Sequence, residues 1–151
     1  MRQASDPRSL LLSLAVVLGA GTAGCSQAVE IGVPAFATQA PCPQLSWPQQ
    51  AAGHDRVATT SDSAAVAAWG DPAIVARCGV AAPPPTTLAC LGVDDVDWIV
   101  EPLSDGTRFT TYGRRPAMQV LVPDAYSPEP MVLGSFTQVA RQLPGTGRRC
   151  R

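Results

Sequence analysis

Residues 96–112 read Val96-Asp97-Trp98-Ile99-Val100-Glu101-Pro102-Leu103-Ser104-Asp105-Gly106-Thr107-Arg108-Phe109-Thr110-Thr111-Tyr112, and this stretch decides the fold. On an extended chain Val96, Trp98 and Val100 share one face, while Asp97, Ile99 and Glu101 share the other. Val96–Leu103 therefore reads as a strand, and Thr107–Tyr112 as its partner. Asp105-Gly106 between two alternating runs predicts a type I′ hairpin, because Gly accepts positive φ at no steric cost.

Outward from this hairpin the chain keeps producing short strands. Upstream, the apolar run Ala64–Trp69 meets a turn at Gly70-Asp71-Pro72, and Ile74–Val80 follows as a strand. Ala81–Thr87 holds three consecutive prolines and reads as an extended surface loop; Leu88–Val93 then leads into the hairpin. Downstream, Gly113–Pro116 turns and Ala117–Val122 forms another strand ending at Pro123. The last element reads as a helix. Ser127 is its cap, Pro128 its first position, and Glu129 suits the positive end of the dipole. Val132, Phe136, Val139, Ala140 and Leu143 fall on one helical face, and Pro144-Gly145 stops the element. Gln44–Trp47 suits one helical turn ended by Pro48, and Gln49–Ser63 reads as loop. Strands first and a helix last define an α+β domain: a small, mainly antiparallel β-sheet with a C-terminal helix packed on it, disulfide-reinforced.

The start of the chain has a different character. Arg2 and Arg8 precede an apolar run from Leu10 to Leu18, then small residues lead to Cys25. This is the pattern of a secretory signal, and the run is shorter than the roughly 20 residues a membrane span needs. The exit resembles a bacterial lipoprotein signal: Ala23, Gly24 and Cys25 match its box, Ser26 suits the next position, and Thr22 stands where Leu is usual. The expected organisation is a signal peptide over 1–24, a lipidated Cys25 with a tether over 25–41, and a single α+β domain over 42–151. Alternation at Val29, Ile31 and Val33 leaves a short strand on the domain open for part of the tether. Without lipidation, ordinary cleavage among Ala20–Gly24 would release a secreted protein.

Cysteine arithmetic agrees with export. Assigning Cys25 to a thioether leaves Cys42, Cys78, Cys90 and Cys150 for two disulfides. Of three possible pairings the preferred one joins Cys78 to Cys90 across the proline loop and Cys42 to Cys150 at the domain ends. All 11 basic residues of the 151-residue chain are arginine, and the net charge is −1. No basic stripe is present, so nucleic acid is not an expected partner. The 15 prolines and 13 glycines forecast many loops, while 46% apolar residues suffice for a packed core.

Three stretches taken together resemble a known family: Trp69-Gly70-Asp71-Pro72 through Arg77-Cys78-Gly79-Val80; Val93–Ile99 with its Val96-Asp97-Trp98; and Phe109–Arg114 leading to Val120-Leu121-Val122-Pro123. The family is one of actinobacterial lipoproteins or secreted proteins of unknown function, and the resemblance covers residues 42–151. It implies an envelope location and this fold, and supplies no activity. Asp95 stands where the family often shows Gly.

Candidate chemistry is sparse, and no catalytic, cofactor or metal set is expected. Asp94, Asp95 and Asp97 form the densest acidic cluster; a calcium loop would need further oxygen ligands and a spaced glycine. A solvated strand entry is the preferred reading. His54, the only histidine, sits in a predicted loop, and Ser135 lies in the predicted helix without a glycine-flanked elbow. The cysteines form no C-x-x-C pair. Arg114 and Arg115, beside Gly113, offer guanidinium groups to a carboxylate or phosphate. Trp69 is a core residue by default and a ligand platform otherwise. The leading expectation is a non-enzymatic, lipid-anchored module at the outer face of the cytoplasmic membrane, with that membrane and an envelope protein as partners. The alternative is a secreted enzyme acting on cell-wall or small-molecule substrates. Convergence of His54, an acid and Arg114 in one cleft would favour the enzyme.

Overall fold

A computed structural model describes residues 27–151. The expected signal peptide and the lipidation of Cys25 lie outside the described residues. Eight strands form the domain: β1 (Gln50–Ala51), β2 (His54–Val57), β3 (Val66–Trp69), β4 (Ile74–Val80), β5 (Ala89–Val93), β6 (Val96–Pro102), β7 (Gly106–Tyr112) and β8 (Ala117–Pro123). They make one sheet in the order β1-β2-β3-β4-β8-β7-β6-β5, with every neighbouring pair antiparallel. The α+β expectation holds, with the sheet dominant and one small helix, α1 (Thr137–Arg141), near the end.

One face of the sheet carries the main core. Trp69, Ile74, Trp98, Phe109, Met118 and Val120 are fully buried there, against Val132, Leu133, Phe136 and Leu143 from the C-terminal helical run. Burial of each such side chain stabilises by about 1.5–3 kcal/mol, which makes this face the main source of stability. A smaller cluster lies on the other face, where Ile31 packs with Val66 and Ala68.

Five expectations are corrected. The C-terminal helix is not one α-helix: Glu129–Phe136 winds as 3-10, and only Thr137–Arg141 is α. Pro128 stands at the cap position rather than inside, and Ser127 makes no capping bond. Pro130 has no N–H to donate in the first turn, which weakens α-helical bonding there. Second, Gln49–Ser63 is not all loop, because β1 and β2 form a hairpin through Ala52 (φ 49°) and Gly53 (φ 83°). Those strands are too short for any alternation to announce them.

Third, the hairpin at Asp105-Gly106 forms, but not as a type I′ turn. The Leu103 N–H donates to the Gly106 carbonyl at 2.8 Å, so Ser104 and Asp105 are the central residues. Neither Asp105 nor Gly106 has positive φ. Gly106 is required by close approach instead, since a Cβ there would overlap the Val122 carbonyl oxygen of β8. The left-handed pair sits one hairpin earlier: Asp94 (φ 45°) and Asp95 (φ 66°) link Val93 to its partner Val96. Asp tolerates this conformation better than most residues.

Fourth, the disulfides are Cys42–Cys78 and Cys90–Cys150, with Cα separations of 5.4 and 5.6 Å. The preferred pairing of Cys78 with Cys90 fails on topology. β4 and β5 lie four strand spacings apart in the sheet order, about 19 Å, far beyond the roughly 7 Å a disulfide allows. The tether reading also shortens. The Val29 N–H donates to Ala58 O at 2.8 Å, Thr60 N–H donates to Val29 O, and Ile31 is buried, so the chain is docked from Val29 onward. Gly79 (φ 101°) lets this arm approach, because a Cβ there would overlap the backbone of Phe36 and Ala37.

Cys42 and Cys78 are fully buried, whereas Cys90 and Cys150 are partly exposed. Titration of the native protein with a thiol reductant, followed by alkylation and peptide mass mapping, will therefore open Cys90–Cys150 first. Cys42–Cys78 will open only as the domain unfolds. Gly79→Ala will destabilise the fold by about 1–3 kcal/mol in chemical denaturation, through the arm it displaces.

Candidate functional site

The topology leaves a second sheet face that the helical run does not cover. Paired residues Cys90, Ile99, Thr110, Gln119 and Arg77 line up across it, through β5, β6, β7, β8 and β4. Arg77 donates from Nε to Gln119 Oε1 at 2.8 Å, and Gln119 donates to Thr110 Oγ1 at 3.3 Å. Burial lowers the Arg77 pKa, and the nearby Arg108 guanidinium lowers it further. Arg108 is itself paired with Glu101 at 3.0 Å.

At the β5 edge of this face lies a groove of about 790 Å³. Ile99 and Tyr112 form its floor. One wall is the run from Pro85 through Leu88 to Cys90, and the other is the C-terminal strap, residues 147–151. Leu88 is 45% exposed, one of four large apolar residues so placed among the described residues. The strap brings Arg148, Arg149 and Arg151, all exposed.

The strap is fastened at several points. Cys150 is bonded to Cys90, and its N–H donates to Asp97 Oδ2 at 2.9 Å. Arg149 Nη1 donates to Asp95 O at 3.1 Å. Thr146 N–H donates to Gly113 O at 2.8 Å, and a Cβ at Gly113 (φ 73°) would overlap the Arg148 carbonyl. Arg141 Nη2 donates to Asp94 O at 2.8 Å and lies 3.5 Å from Asp95 Oδ2. The acidic cluster thus acts as a bracket for the helix end and the strap. Among the described residues, no group of three His, Cys, Asp or Glu is placed to hold a metal ion.

The other candidate residues scatter. Arg114 donates to Leu143 O at 2.8 Å and lines a small cavity of about 120 Å³ with Asp95, Asp97 and Arg148. Arg115 is exposed and lines a different cavity, beside Phe36 and Pro116. Trp69 is fully buried, donates to Pro48 O at 3.0 Å, and packs edge-on against Trp47 and Phe136. The platform reading of Trp69 is corrected: no face of the ring is open to a ligand. His54 lies on β2, at the opposite end of the strand order from the Asp94–Asp97 bracket. Its ring centroid is 4.7 Å from that of Tyr126. Ser135 Oγ accepts the Ala52 N–H at 3.0 Å, which employs it in holding the β1–β2 turn. An acid and Arg114 meet, and His54 stands apart.

Sequence reading missed the groove. Arg148-Arg149-Cys150-Arg151 is a visible basic cluster, and Ile99 shares a strand face with Asp97 and Glu101. Neither fact reveals that the chain end crosses back beside Leu88 and Tyr112.

This geometry defines a small, disulfide-clamped β-sheet domain with a cationic surface groove. The chain belongs to the family described as "Protein of unknown function (DUF3515)", matched over residues 9–146. No curated protein and no solved structure matches it.

Two outcomes follow from these contacts. Gly113→Ala will lift the strap, read as faster hydrogen exchange at residues 146–150 with the core strands unchanged. Tyr126 donates to Pro72 O at 2.6 Å, and burial, then the Asp71 charge, raises its pKa above the ordinary 10.0. The folded state favours the neutral phenol, so its contribution is complete below pH 10.0 and is lost as pH rises through the raised value. Tyr126→Phe will cost about 1 kcal/mol at neutral pH and will remove that alkaline loss from the pH–stability curve.

Proposed function

We propose that this protein is a lipid-anchored, non-enzymatic binding module of the cell envelope, held at the outer face of the cytoplasmic membrane through Cys25. The observation that carries the binding reading is the clamped groove beside Cys90–Cys150. Its walls are fixed before any ligand arrives, which lowers the ordering cost of binding. The separation of His54 from the acidic bracket and Arg114 favours this reading over a hydrolytic enzyme.

Two observations support the anchor. Cys42, Cys78, Cys90 and Cys150 are consumed in disulfides, which leaves Cys25 as the remaining thiol of five. It follows Ala23-Gly24, the small residues of a lipoprotein box. Val29, where docking begins, is four residues beyond Cys25. Such a segment reaches at most about 14 Å, so the anchored domain would rest against the headgroups rather than stand away on a stalk.

The test is the intact mass of the mature protein extracted from membranes of a suitable host, before and after reduction. The expected species starts at Cys25, carries a diacylglyceryl mass, and gains four hydrogens on reduction of its two disulfides. A lipid-free chain starting elsewhere would overturn the anchor and turn the reading to a secreted protein.

A further inference from the structure

We propose that the groove between the Pro85–Cys90 run and the C-terminal strap binds an anionic amphiphile. The ligand would carry a phosphate or carboxylate head joined to an aliphatic portion. The inference rests on the binding-module reading and names the ligand class of that same groove.

The two halves of the groove ask for two kinds of chemistry. Leu88, Ile99, Pro85 and the Tyr112 ring supply apolar surface at the floor and one wall. Arg148, Arg149 and Arg151 supply three guanidinium groups on the facing wall. Among the described residues, Arg148 and Arg151 form no salt bridge, and the acids beside the strap, Asp95 and Asp97, line the small cavity next to the groove rather than the groove itself. Asp97 accepts the Cys150 N–H, and Asp95 faces Arg141. An incoming anion therefore meets Arg148 and Arg151 with no ion pair to break first. Guanidinium groups bind phosphate and carboxylate through paired, charge-assisted hydrogen bonds, the strongest polar contact available here. A bare anion would leave Leu88 exposed, and a neutral aliphatic molecule would leave the arginines without a partner. Only a ligand with both parts satisfies both walls. At about 790 Å³ the groove falls in the usual size range for small-molecule sites.

The wall that carries the arginines is rigidly placed. Cys90–Cys150, the Asp97 bond and the Gly113 contact fix residues 148–150 against the sheet. The site thus depends on the disulfide that is partly exposed, while the buried Cys42–Cys78 plays no part in it.

The experiment is titration calorimetry on the full chain and on its Cys25→Ser variant, with three probes. Octyl phosphate carries both parts, inorganic phosphate only the head, and octyl glucoside a chain on a neutral head. The expected result is saturable one-site binding of octyl phosphate, roughly tenfold or more tighter than either control. The double variant Arg148→Ala/Arg151→Ala will lose about tenfold for octyl phosphate. Both substitutions are on exposed side chains, and unchanged disulfide content and thermal transition will verify the fold. Equal binding of inorganic phosphate, equal binding of octyl glucoside, or an unchanged double variant would each overturn the proposal. Binding by Cys25→Ser separates the groove from the anchor, because loss of the anchor leaves the groove intact. Flotation of that variant with phosphatidylglycerol vesicles assigns the head to a membrane lipid; octyl phosphate binding without flotation assigns it to a free amphiphile.

Discussion

The structure depends on β8 pairing with β4 on one side and β7 on the other. Met118, Val120 and Val122 of β8 are buried in the main core, and the strand joins the early strands to the later hairpins. Once β8 occupies that place, β5 must lie at the far edge of the sheet, four spacings from β4. The connection from Ala81 to Leu88 then has to cover about 19 Å sideways. Eight residues in extended or polyproline conformation reach roughly 25 Å, which suffices. The three prolines are therefore explained by distance: they stiffen a crossing that must be nearly straight. The groove is a by-product of that crossing, because its far end forms one wall.

The second wall is placed by contacts of unequal strength. The exposed Arg141–Asp95 pair at 3.5 Å is worth about 0–1 kcal/mol. The Asp97 bond to the Cys150 N–H is a hydrogen bond to a charged group, worth roughly 1.5–3 kcal/mol. The Cys90–Cys150 bridge closes a separation of 60 residues and, by chain entropy, contributes about 4 kcal/mol. The covalent link decides where the strap lies, and the bracket of Asp94, Asp95 and Asp97 decides how it is oriented. This gives the acidic cluster a purpose that composition alone did not suggest. It collects arginines and a backbone N–H from the C-terminal segment rather than a cation from solvent.

Much of the sheet was legible in the sequence because half-buried strands impose a period of two. Ile74–Val80, Val96–Pro102 and Ala117–Pro123 each carry the alternation, with the apolar set on the helix side. What escaped was set by contacts distant in the chain. The hairpin at Asp105-Gly106 was legible, but its turn type was not, since Gly106 answers to Val122 of β8 rather than to its own φ. The disulfide pairing needed the strand order. Cys78 faces the core while Cys90 lies in line with Ile99 on the opposite face, so spacing of 12 residues misled. The groove needed both the crossing loop and the strap, neither of which has a periodic signal. Trp69 is buried on the helix side against Trp47 and Phe136, as its core reading expects, and the N-terminal arm covers the other side of β3 at Val66 and Ala68.

That arm also sets how the two faces divide their tasks. The helix-side face is dry and carries the stabilising core. The other face is covered at one edge by Ile31 on Val66 and Ala68, and at the opposite edge by the strap through Cys150. Between these covers stand Arg77 and Arg108, the latter paired with Glu101, while Asp94, Asp95 and Asp97 sit beside the strap. A net charge of −1 thus conceals local pairing of opposite charges, with Arg148 and Arg151 outside those pairs. Net charge governs long-range behaviour, but at contact only the local sign matters, within a Debye length of about 8 Å. A nearly neutral domain can in this way hold a cationic groove without the basic stripe that would draw polyanions to it.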